Sequence, residues 1–421
     1  MQTLRKSQWA TRQCLRLNKL PEQLSQVIKT NGPISVAAYM RQCLTNPSEG
    51  YYTQETPFGK PGDFVTSPEI SQMFGELVGI WFVTEFMAMG QPAVTNIIEL
   101  GPGKATLLDD LLRASTKFAS FKASVKEIHL LEASDKLRDV QRQKLCGNNQ
   151  FDKRDDQLWY AESKYGPRVC WHGDIGSIPA DLENPFLLAH EFFDAMPTHA
   201  FECTEHGWRE LMVDIKDSPI LMPSGPTPSD ATAAEPSFHL TLANKSTPLA
   251  VGLTKSPRYS KLVPPNRIEV SPEAQGIANK IASLLQGTES RRGGSGLVID
   301  YGPIDTIPID TLRGIKNHKI VSPFQDPGTV DLSVDVDFAG IAEQVAQYGG
   351  LAVHGPVLQG DWLHKLGIGA RATVLAKNAR TEEGRRRIEG EYKRLVDPAG
   401  MGKAYKVMAI TSHGQTPVGF E

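Results

Sequence analysis

Acidic side chains stand at the ends of several short apolar runs of this chain. Glu99, Glu132, Asp174 and Glu191 each end or directly follow a run with the length of a buried strand. In a parallel sheet the carboxyl ends of the strands meet at one edge, so these carboxylates are expected to share one crevice. Such a crevice suits a ligand that carries positive charge and hydroxyl groups. The competing interpretation is that each acid caps the helix after it.

A glycine turn follows the first of these runs, in the segment T-N-I-I-E-L-G-P-G-K-A-T-L-L. A strand, a glycine turn and a helix N-terminus form a nucleotide-binding crevice. A dinucleotide site has the pattern G-x-G-x-x-G, but Thr106 occupies the third position here, and Glu99 would lie close to a doubly charged pyrophosphate.

S-adenosylmethionine is the better electrostatic match. It carries a sulfonium, an ammonium group, a ribose diol and an adenine amine, and it has no phosphate. We therefore predict that Glu99 supports its methionine end, that Glu132 accepts from the ribose hydroxyls and that Asp174 accepts from the adenine amine.

The fourth run leads into H-E-F-F-D-A-M-P, where the acceptor of a transferred group would lie. The carboxylates of Glu191 and Asp194 flank two phenylalanines, an arrangement that suits a planar guanidinium. Carboxylates can also raise the nucleophilicity of one guanidinium nitrogen. The alternative is that the rings belong to the core and the acids cap a following helix. His190 is a candidate base, although a single histidine is more often structural.

Strands alternate with helices over much of the chain, which predicts an α/β fold with a parallel sheet. We expect five regions, whose bounds follow. They are a presequence-like basic segment (1–20), an N-terminal helical region with a cofactor-covering loop (21–92), the first part of the core (93–204), an inserted β and loop lobe (205–270), and the second part of the core with a C-terminal helix and strand (271–421).

Composition narrows the choice of partner and compartment. The 421 residues carry a formal net charge of -3, so the chain has no overall positive charge that would favour nucleic acid as a partner. No apolar run is long enough to span a membrane, and the five cysteines form neither a metal-binding pattern nor a disulfide framework. The first twenty residues are basic and lack acids, which fits either a mitochondrial presequence or a solvated helix.

Several sequence blocks together resemble those of the MidA-like family, the mitochondrial complex I assembly-factor methyltransferases and their bacterial relatives. The resemblance covers almost everything from residue 20 to about residue 375. The blocks are G-P-I-S-V-A-A-Y-M, N-P-S-E-G-Y-Y, G-D-F-V-T-S-P-E-I-S-Q-M-F-G-E-L-V-G-I-W, E-L-G-P-G-K-A-T-L-L-D-D-L-L, H-E-F-F-D-A-M-P, L-V-I-D-Y-G, P-G-T-V-D-L-S-V-D-V-D-F and L-G-I-G-A-R.

This resemblance implies a Rossmann-like methyltransferase core with helical additions. It implies a protein arginine methyltransferase of the mitochondrial matrix that uses S-adenosylmethionine and no metal. The acceptor would be a core subunit of complex I related to the hydrogenase large subunit, and symmetric dimethylation of its arginine would support assembly.

The resemblance also implies roles for residues of two blocks. Gly101 and Gly103 would hold the methionine portion, and Glu132 and Asp174 the ribose and adenine. The cofactor would be covered by Thr66, Ser67, Pro68 and Ile70.

Three rival functions remain open at this point. They are a non-catalytic assembly chaperone with the same fold, a nicotinamide-dependent oxidoreductase and a methyltransferase that acts on a small molecule.

Overall fold

The structure is a computed structural model that describes residues 19–53, 66–149, 151–153, 158–216 and 237–421. Nearly all of the presequence-like segment therefore lies outside the described residues, as do residues 54–65 of the expected cofactor-covering loop.

The helices and strands are labelled in chain order. The helices are α1 (Leu20–Asn31), α2 (Val36–Thr45), α3 (Ser67–Ile70), α4 (Gln72–Ala88), α5 (Thr106–Ser115), α6 (Ala119–Ser124), α7 (Asp135–Cys146), α8 (Pro248–Leu253), α9 (Pro272–Leu285), α10 (Phe338–Val345), α11 (Gln359–Lys365), α12 (Ile368–Lys377), α13 (Glu382–Val396) and α14 (Met401–Ala404). The strands are β1 (Ile34–Ser35), β2 (Thr95–Leu100), β3 (Val125–Leu131), β4 (Phe151–Lys153), β5 (Leu158–Glu162), β6 (Arg168–His172), β7 (Pro185–His190), β8 (His199–Thr204), β9 (Gly207–Ile215), β10 (Phe238–Leu242), β11 (Arg267–Val270), β12 (Ser295–Tyr301), β13 (Arg313–Lys316), β14 (Lys319–Val321), β15 (Asp331–Ser333), β16 (Ala352–Leu358) and β17 (Tyr405–Thr411).

The main sheet has the order β16-β17-β12-β7-β2-β3-β6-β5-β4. Its five central strands, from β12 to β6, are parallel, whereas β17 and β5 run antiparallel to their neighbours. In chain order the parallel strands lie 3-2-1-4-5, the Rossmann arrangement, so the order reverses between β2 and β7. The predicted α/β fold is confirmed, and the reversal point is where such sheets bind ligands.

Helices cover both faces of this sheet because its central strands are apolar on both sides. Every residue of β2, β7 and β12 is buried. On one face α4 packs closely on α5, and glycines permit the approach. A Cβ on Gly75 would lie 2.6 Å from Asp110 Cβ, and one on Gly79 would lie 2.8 Å from the Leu111 carbonyl oxygen. Helices α9 and α10 pack on the other face.

The apolar pattern from Ser67 to Ala88, which by itself predicts one helix with Ser67 as its N-cap, is divided into two helices in the structure. Thr66 stands at the N-cap of α3, and the chain then breaks at Ser71, whose backbone is extended. The Ser71 hydroxyl accepts a hydrogen bond from Met73 N and begins α4.

A second sheet has the order β1-β9-β8-β11, with β10 paired to β9. Its first strand in the lobe, β8, begins at His199, six residues before the expected lobe boundary. Strand β1 joins it from the N-terminal region, with Ile34 opposite Val213. A third sheet, β14-β13-β15, lies in the second part of the chain. Among the helices that the structure describes, none has the length and apolarity needed to cross a membrane.

Candidate active site

A cleft of about 1130 Å³ opens where the strand order reverses. Nine of the predicted site residues line it: Thr66, Pro68, Glu99, Gly101, Gly103, Glu132, Asp174, Glu191 and Asp194. Across the sheet edge the acids follow the strand order, from Asp174 after β6 through Glu132 after β3 and Glu99 on β2 to Glu191 after β7. The cleft therefore has an expected cofactor end and an expected acceptor end.

The glycine turn after β2 has left-handed backbone at Gly101 (φ 64°) and Gly103 (φ 52°). A Cβ on Gly101 would lie 2.8 Å from Cδ2 of Phe192, so this position has no room for a side chain. A Cβ on Gly103 would meet nothing within 4 Å, which leaves the backbone there open to the cleft.

Glu99 is a buried acid without a protein partner for one of its oxygens. The residue is 2% exposed, and within the described part of the chain its Oε2 has no hydrogen-bond donor. Burial raises the pKa of Glu99 to about 8. A buried acceptor without a donor costs free energy, so a cationic group of a ligand in the cleft would be stabilised by binding to it. The residues present thus fit the sulfonium and ammonium end of S-adenosylmethionine.

Each carboxylate oxygen of Glu132 accepts a hydrogen bond from a neighbouring group of the protein. Its Oε1 accepts from Ser134 N at 2.8 Å, and its Oε2 accepts from Gln141 Nε2 at 3.0 Å. Burial raises the pKa of Glu132 to about 7 despite these hydrogen bonds. Gln141 also donates to the carbonyl oxygen of Gly103 at 2.7 Å, so it links the expected ribose site to the glycine turn. Gln141 was not singled out from the sequence, because nothing local distinguishes it from other helix glutamines.

Asp174 is exposed and caps a short 3-10 helix, Ile175–Ser177, by accepting from Gly176 N at 2.7 Å. The interpretation of Asp174 as a helix cap is therefore correct for one of its two carboxylate oxygens. The residue still lines the cleft at the end expected to hold adenine.

The four residues expected to cover the cofactor divide into two groups. Thr66 and Pro68 line the cleft. Ser67 is fully buried, and its backbone N–H donates a hydrogen bond to Glu191 Oε1 at 3.4 Å. Ile70 is partly buried against the hydrophobic core and is not among the described residues that line the cleft.

Glu191 has left-handed backbone (φ 49°), which is uncommon for a residue with a side chain. Such strain is tolerated where surrounding contacts impose it, often at functional sites. Its N–H donates to Ile299 O at 2.9 Å, and its carboxylate accepts from the Tyr405 hydroxyl. Burial and the nearby charges of Asp194 and Asp300 raise the pKa of Glu191 well above its usual range.

Asp300, on the neighbouring strand β12, holds the loop that follows β7 and carries Glu191 and Asp194. We call this loop the acidic loop. The Oδ2 atom of Asp300 accepts from the backbone N–H groups of Phe192 (3.1 Å), Phe193 (3.0 Å) and Asp194 (3.4 Å). No helix follows β7 before β8, so the alternative in which the two acids cap a helix is wrong. The sequence signal for Asp300 was an acid at the end of the buried run L-V-I-D-Y.

Asp194 accepts a hydrogen bond from the Tyr301 hydroxyl, which also lies 2.5 Å from Ser333 Oγ. Burial raises the pKa of Asp194, and these contacts together with the charge of Arg313 partly offset the effect. The Arg313 guanidinium stands 4.8 Å from the centre of the Tyr301 ring.

His190 is an unsuitable base in this setting. Burial lowers the pKa of His190 to about 3, and its ring centre lies 5.2 Å from that of Phe74. A neutral imidazole with so low a pKa takes up a proton poorly at neutral pH.

Among the described residues that line the cleft, acids outnumber bases. Beside the acids already named, Glu69, Asp135, Glu273 and Asp331 line it, against the bases Arg41, Lys104, Lys136 and Lys280. This balance favours cationic ligands and disfavours the pyrophosphate of a nicotinamide cofactor.

The Rossmann order, the glycine turn and the acidic cleft define the class of an S-adenosylmethionine-dependent methyltransferase. The model of one S-adenosyl-L-methionine-dependent methyltransferase family matches residues 77–357. The chain is also similar to the rat "Protein arginine methyltransferase NDUFAF7, mitochondrial", at 37% identity over 396 residues, which cover 93% of this chain and 84% of the relative. The human protein of the same name is 36% identical over 92% of this chain and 82% of its own. The chain belongs to this methyltransferase family.

The fold agrees with that of a solved bacterial structure. A Burkholderia thailandensis protein with S-adenosyl-homocysteine bound superimposes with a TM-score of 0.72, covering 95% of this chain and 93% of its own, at 22% identity.

Proposed function

We propose that this protein is a mitochondrial protein arginine methyltransferase. The proposal includes symmetric dimethylation of an arginine in a core complex I subunit related to the hydrogenase large subunit, in the matrix, in support of assembly. The names of the rat and human relatives support arginine as the acceptor and the mitochondrion as the compartment. The family resemblance of the sequence blocks supports the subunit, the symmetric product and the matrix.

The observation that carries the proposal is the pair of partly buried acids beside the expected methionine end. Glu191 and Asp194 line the cleft one strand away from Glu99, on the loop that follows β7. A guanidinium can satisfy two carboxylates at once through its fixed fork of N–H groups. The rings of Phe192 and Phe193 in this loop pack against each other, with 5.6 Å between their centres.

In the proposed mechanism, bound S-adenosylmethionine supplies an electrophilic methyl group. Glu191 and Asp194 hold the guanidinium and align one nitrogen for attack. The guanidinium cation offsets the burial and the repulsion that raise the pKa of Glu191, so the carboxylate becomes ionised on binding. As the nitrogen–carbon bond forms, the sulfur–methyl bond breaks and S-adenosylhomocysteine is the leaving group. The nitrogen loses a proton, and Glu191 is placed to accept it.

The test is methyl transfer with purified protein and labelled S-adenosylmethionine. The acceptor is a mitochondrial protein fraction from cells that lack the enzyme, and the methylated residues are identified by mass spectrometry. We expect symmetric dimethylarginine in one complex I subunit. Glu191→Gln should lower the transfer rate at least about a hundredfold with little change in S-adenosylhomocysteine affinity. Glu343→Gln, on the exposed side of α10, is the matched control.

Other results would favour the rival functions. Methyl groups found only on lysine or on small molecules would contradict arginine as the acceptor. If complex I still assembles with Gly101→Val, although that variant folds and has lost cofactor binding, the protein acts as a non-catalytic chaperone.

A further inference from the structure

Two tyrosines from neighbouring strands of the main sheet contact the acidic loop. Tyr301 ends β12, Tyr405 begins β17, and the antiparallel register places them directly opposite each other. We propose that these two phenols orient the two acids of the loop for different tasks in methyl transfer. This inference rests on the proposed function and adds two positioning residues to it.

The two tasks are proton uptake and anchoring of the acceptor. Tyr405 orients Glu191, which takes the proton that the attacking nitrogen loses as its bond to the methyl carbon forms and the sulfur–methyl bond breaks. Tyr301 orients Asp194, which stays anionic and anchors the guanidinium.

The two phenol rings form one packed unit beside the loop. Residues directly opposite each other in an antiparallel pair point to the same face of the sheet, so the two side chains are neighbours. Their rings make an edge-to-face contact with 5.3 Å between centres, and both residues are buried. Burial and this contact restrict the rings, so the hydroxyl groups of Tyr301 and Tyr405 have fixed positions.

Each hydroxyl donates a hydrogen bond to a different acid. The Tyr405 hydroxyl donates to the carboxylate of Glu191. The Tyr301 hydroxyl donates to Asp194 Oδ2. Burial, followed by the charges of nearby carboxylates, raises the pKa of both phenols well above their usual range. Both phenols therefore stay protonated at neutral pH and act as donors.

The two acids differ in the charges around them. The Arg313 guanidinium lies 4.8 Å from the centre of the Tyr301 ring, and its charge partly offsets the burial that raises the pKa of Asp194. The charges that act most on Glu191 are the carboxylates of Asp194 and Asp300, which add to the effect of burial on its pKa. A raised pKa makes Glu191 the better proton acceptor, whereas a nearby cation makes Asp194 the better anionic anchor.

The phenol of Tyr405 favours the ionised form of Glu191. The titratable groups that face this carboxylate are Asp194 of its own loop, His190 of β7, Asp300 of β12 and Tyr405 of β17. His190 is neutral at physiological pH, because burial lowers its pKa to about 3. Among these groups Tyr405 donates a hydrogen bond to the carboxylate, and such a bond stabilises the charged form. Its removal should therefore raise the pKa of Glu191.

The experiment measures methyl transfer as a function of pH, with purified protein, labelled S-adenosylmethionine and a peptide that spans the arginine identified by mass spectrometry. Tyr405→Phe should move the acidic limb of the kcat profile at least about one pH unit to higher pH, and should lower kcat about tenfold on that limb. Tyr301→Phe should raise the KM for the peptide about tenfold, with kcat within a few-fold. Both variants should keep S-adenosylhomocysteine affinity within about threefold.

Tyr165→Phe is the matched control. Its hydroxyl also donates to a carboxylate, Asp109 Oδ1 at 2.8 Å, but neither residue is among the described residues that line the cleft. The same loss of a phenol hydroxyl at this position should leave KM, kcat and the pH profile unchanged.

A double variant separates an effect through Glu191 from a general structural effect. If Tyr405 acts through Glu191, Tyr405→Phe should cause no further loss of transfer when it is added to Glu191→Gln. Losses that multiply in the double variant would overturn the inference, because they would indicate a structural role.

The remaining outcomes distinguish this inference from the proposed function. Loss of transfer in Glu191→Gln together with wild-type KM, kcat and pH profile in both tyrosine variants would overturn the inference and leave the proposed function standing. If the wild-type protein methylates no arginine, the proposed function fails and the inference fails with it.

Discussion

Replacement of Glu99 by glutamine is expected to stabilise the free protein and to weaken its cofactor binding. Glu99 lies in the middle strand of the sheet, almost fully buried, with one oxygen that has no protein donor among the described residues. A buried carboxylate of this kind costs stability unless a ligand cation compensates it. Glutamine keeps the shape and removes the ionisation.

The size of the effect follows from the pKa of Glu99, which burial raises from 4.5 to about 8. Between these values the unfolded state has lost the proton and the folded state retains it, so stability falls as pH rises from about 4.5 to about 8. Each pH unit in that window costs about 1.4 kcal/mol. At pH 7 the Glu99→Gln variant should therefore gain up to about 3 kcal/mol, and near pH 4.5 the gain should vanish.

Urea denaturation of the free protein at several pH values measures this gain, and calorimetry measures S-adenosylmethionine affinity. We expect Glu99→Gln to bind the cofactor about ten- to a hundredfold more weakly, through loss of a charge-assisted contact. Glu183→Gln, at an exposed site before β7, is the matched control and should change neither quantity. A variant that is less stable at every pH, or that binds the cofactor as tightly as wild type, would refute this reasoning.

Three further perturbations test other parts of the site. Gly101→Ala should lower the free energy of unfolding by about 2–4 kcal/mol, because the backbone there is left-handed and the new Cβ would clash with Phe192. Gly103→Ala should lower it by only about 1–2 kcal/mol, because only the left-handed backbone opposes it. Urea denaturation measures both values. Asp300→Asn should lower methyl transfer at least about tenfold and leave S-adenosylhomocysteine affinity within about threefold, because it loosens the acidic loop only; equal losses would contradict this. S-adenosylhomocysteine affinity should fall as pH drops below about 8, where Glu99 takes up a proton, and fall further below about 7, where Glu132 does; calorimetry should show only the first fall for Glu132→Gln.

The strand ends of the main sheet were predictable because apolar runs and the acids after them are local features. Glu99, Glu132, Asp174 and Glu191 were all found in this way, and the structure places all four in one cleft. The break of the helix at Ser71 was not found, since both halves continue one apolar pattern.

Contacts between distant segments were beyond local patterns. Asp300 ends a buried run, which is a local feature, but its hydrogen bonds to a loop 106–108 residues away could not be predicted. Gln141 has no local signal and acts through a contact 38 residues away. The third sheet also escaped the sequence analysis, because short strands such as β15 give too few residues for a period. The hydrogen bond from Tyr52 to Asp331 spans 279 residues of chain, so no local pattern could predict it.

The most direct test compares arginine methylation of mitochondrial complex I subunits in cells that contain this protein, lack it, or contain only the Glu191→Gln variant. Mass spectrometry of the subunits gives the site and the symmetry of each methyl group. We predict symmetric dimethylarginine in one core subunit with the wild-type protein, and unmodified arginine at that site in the other two cases. Identical arginine methylation in all three would contradict the proposal that this protein is an arginine methyltransferase.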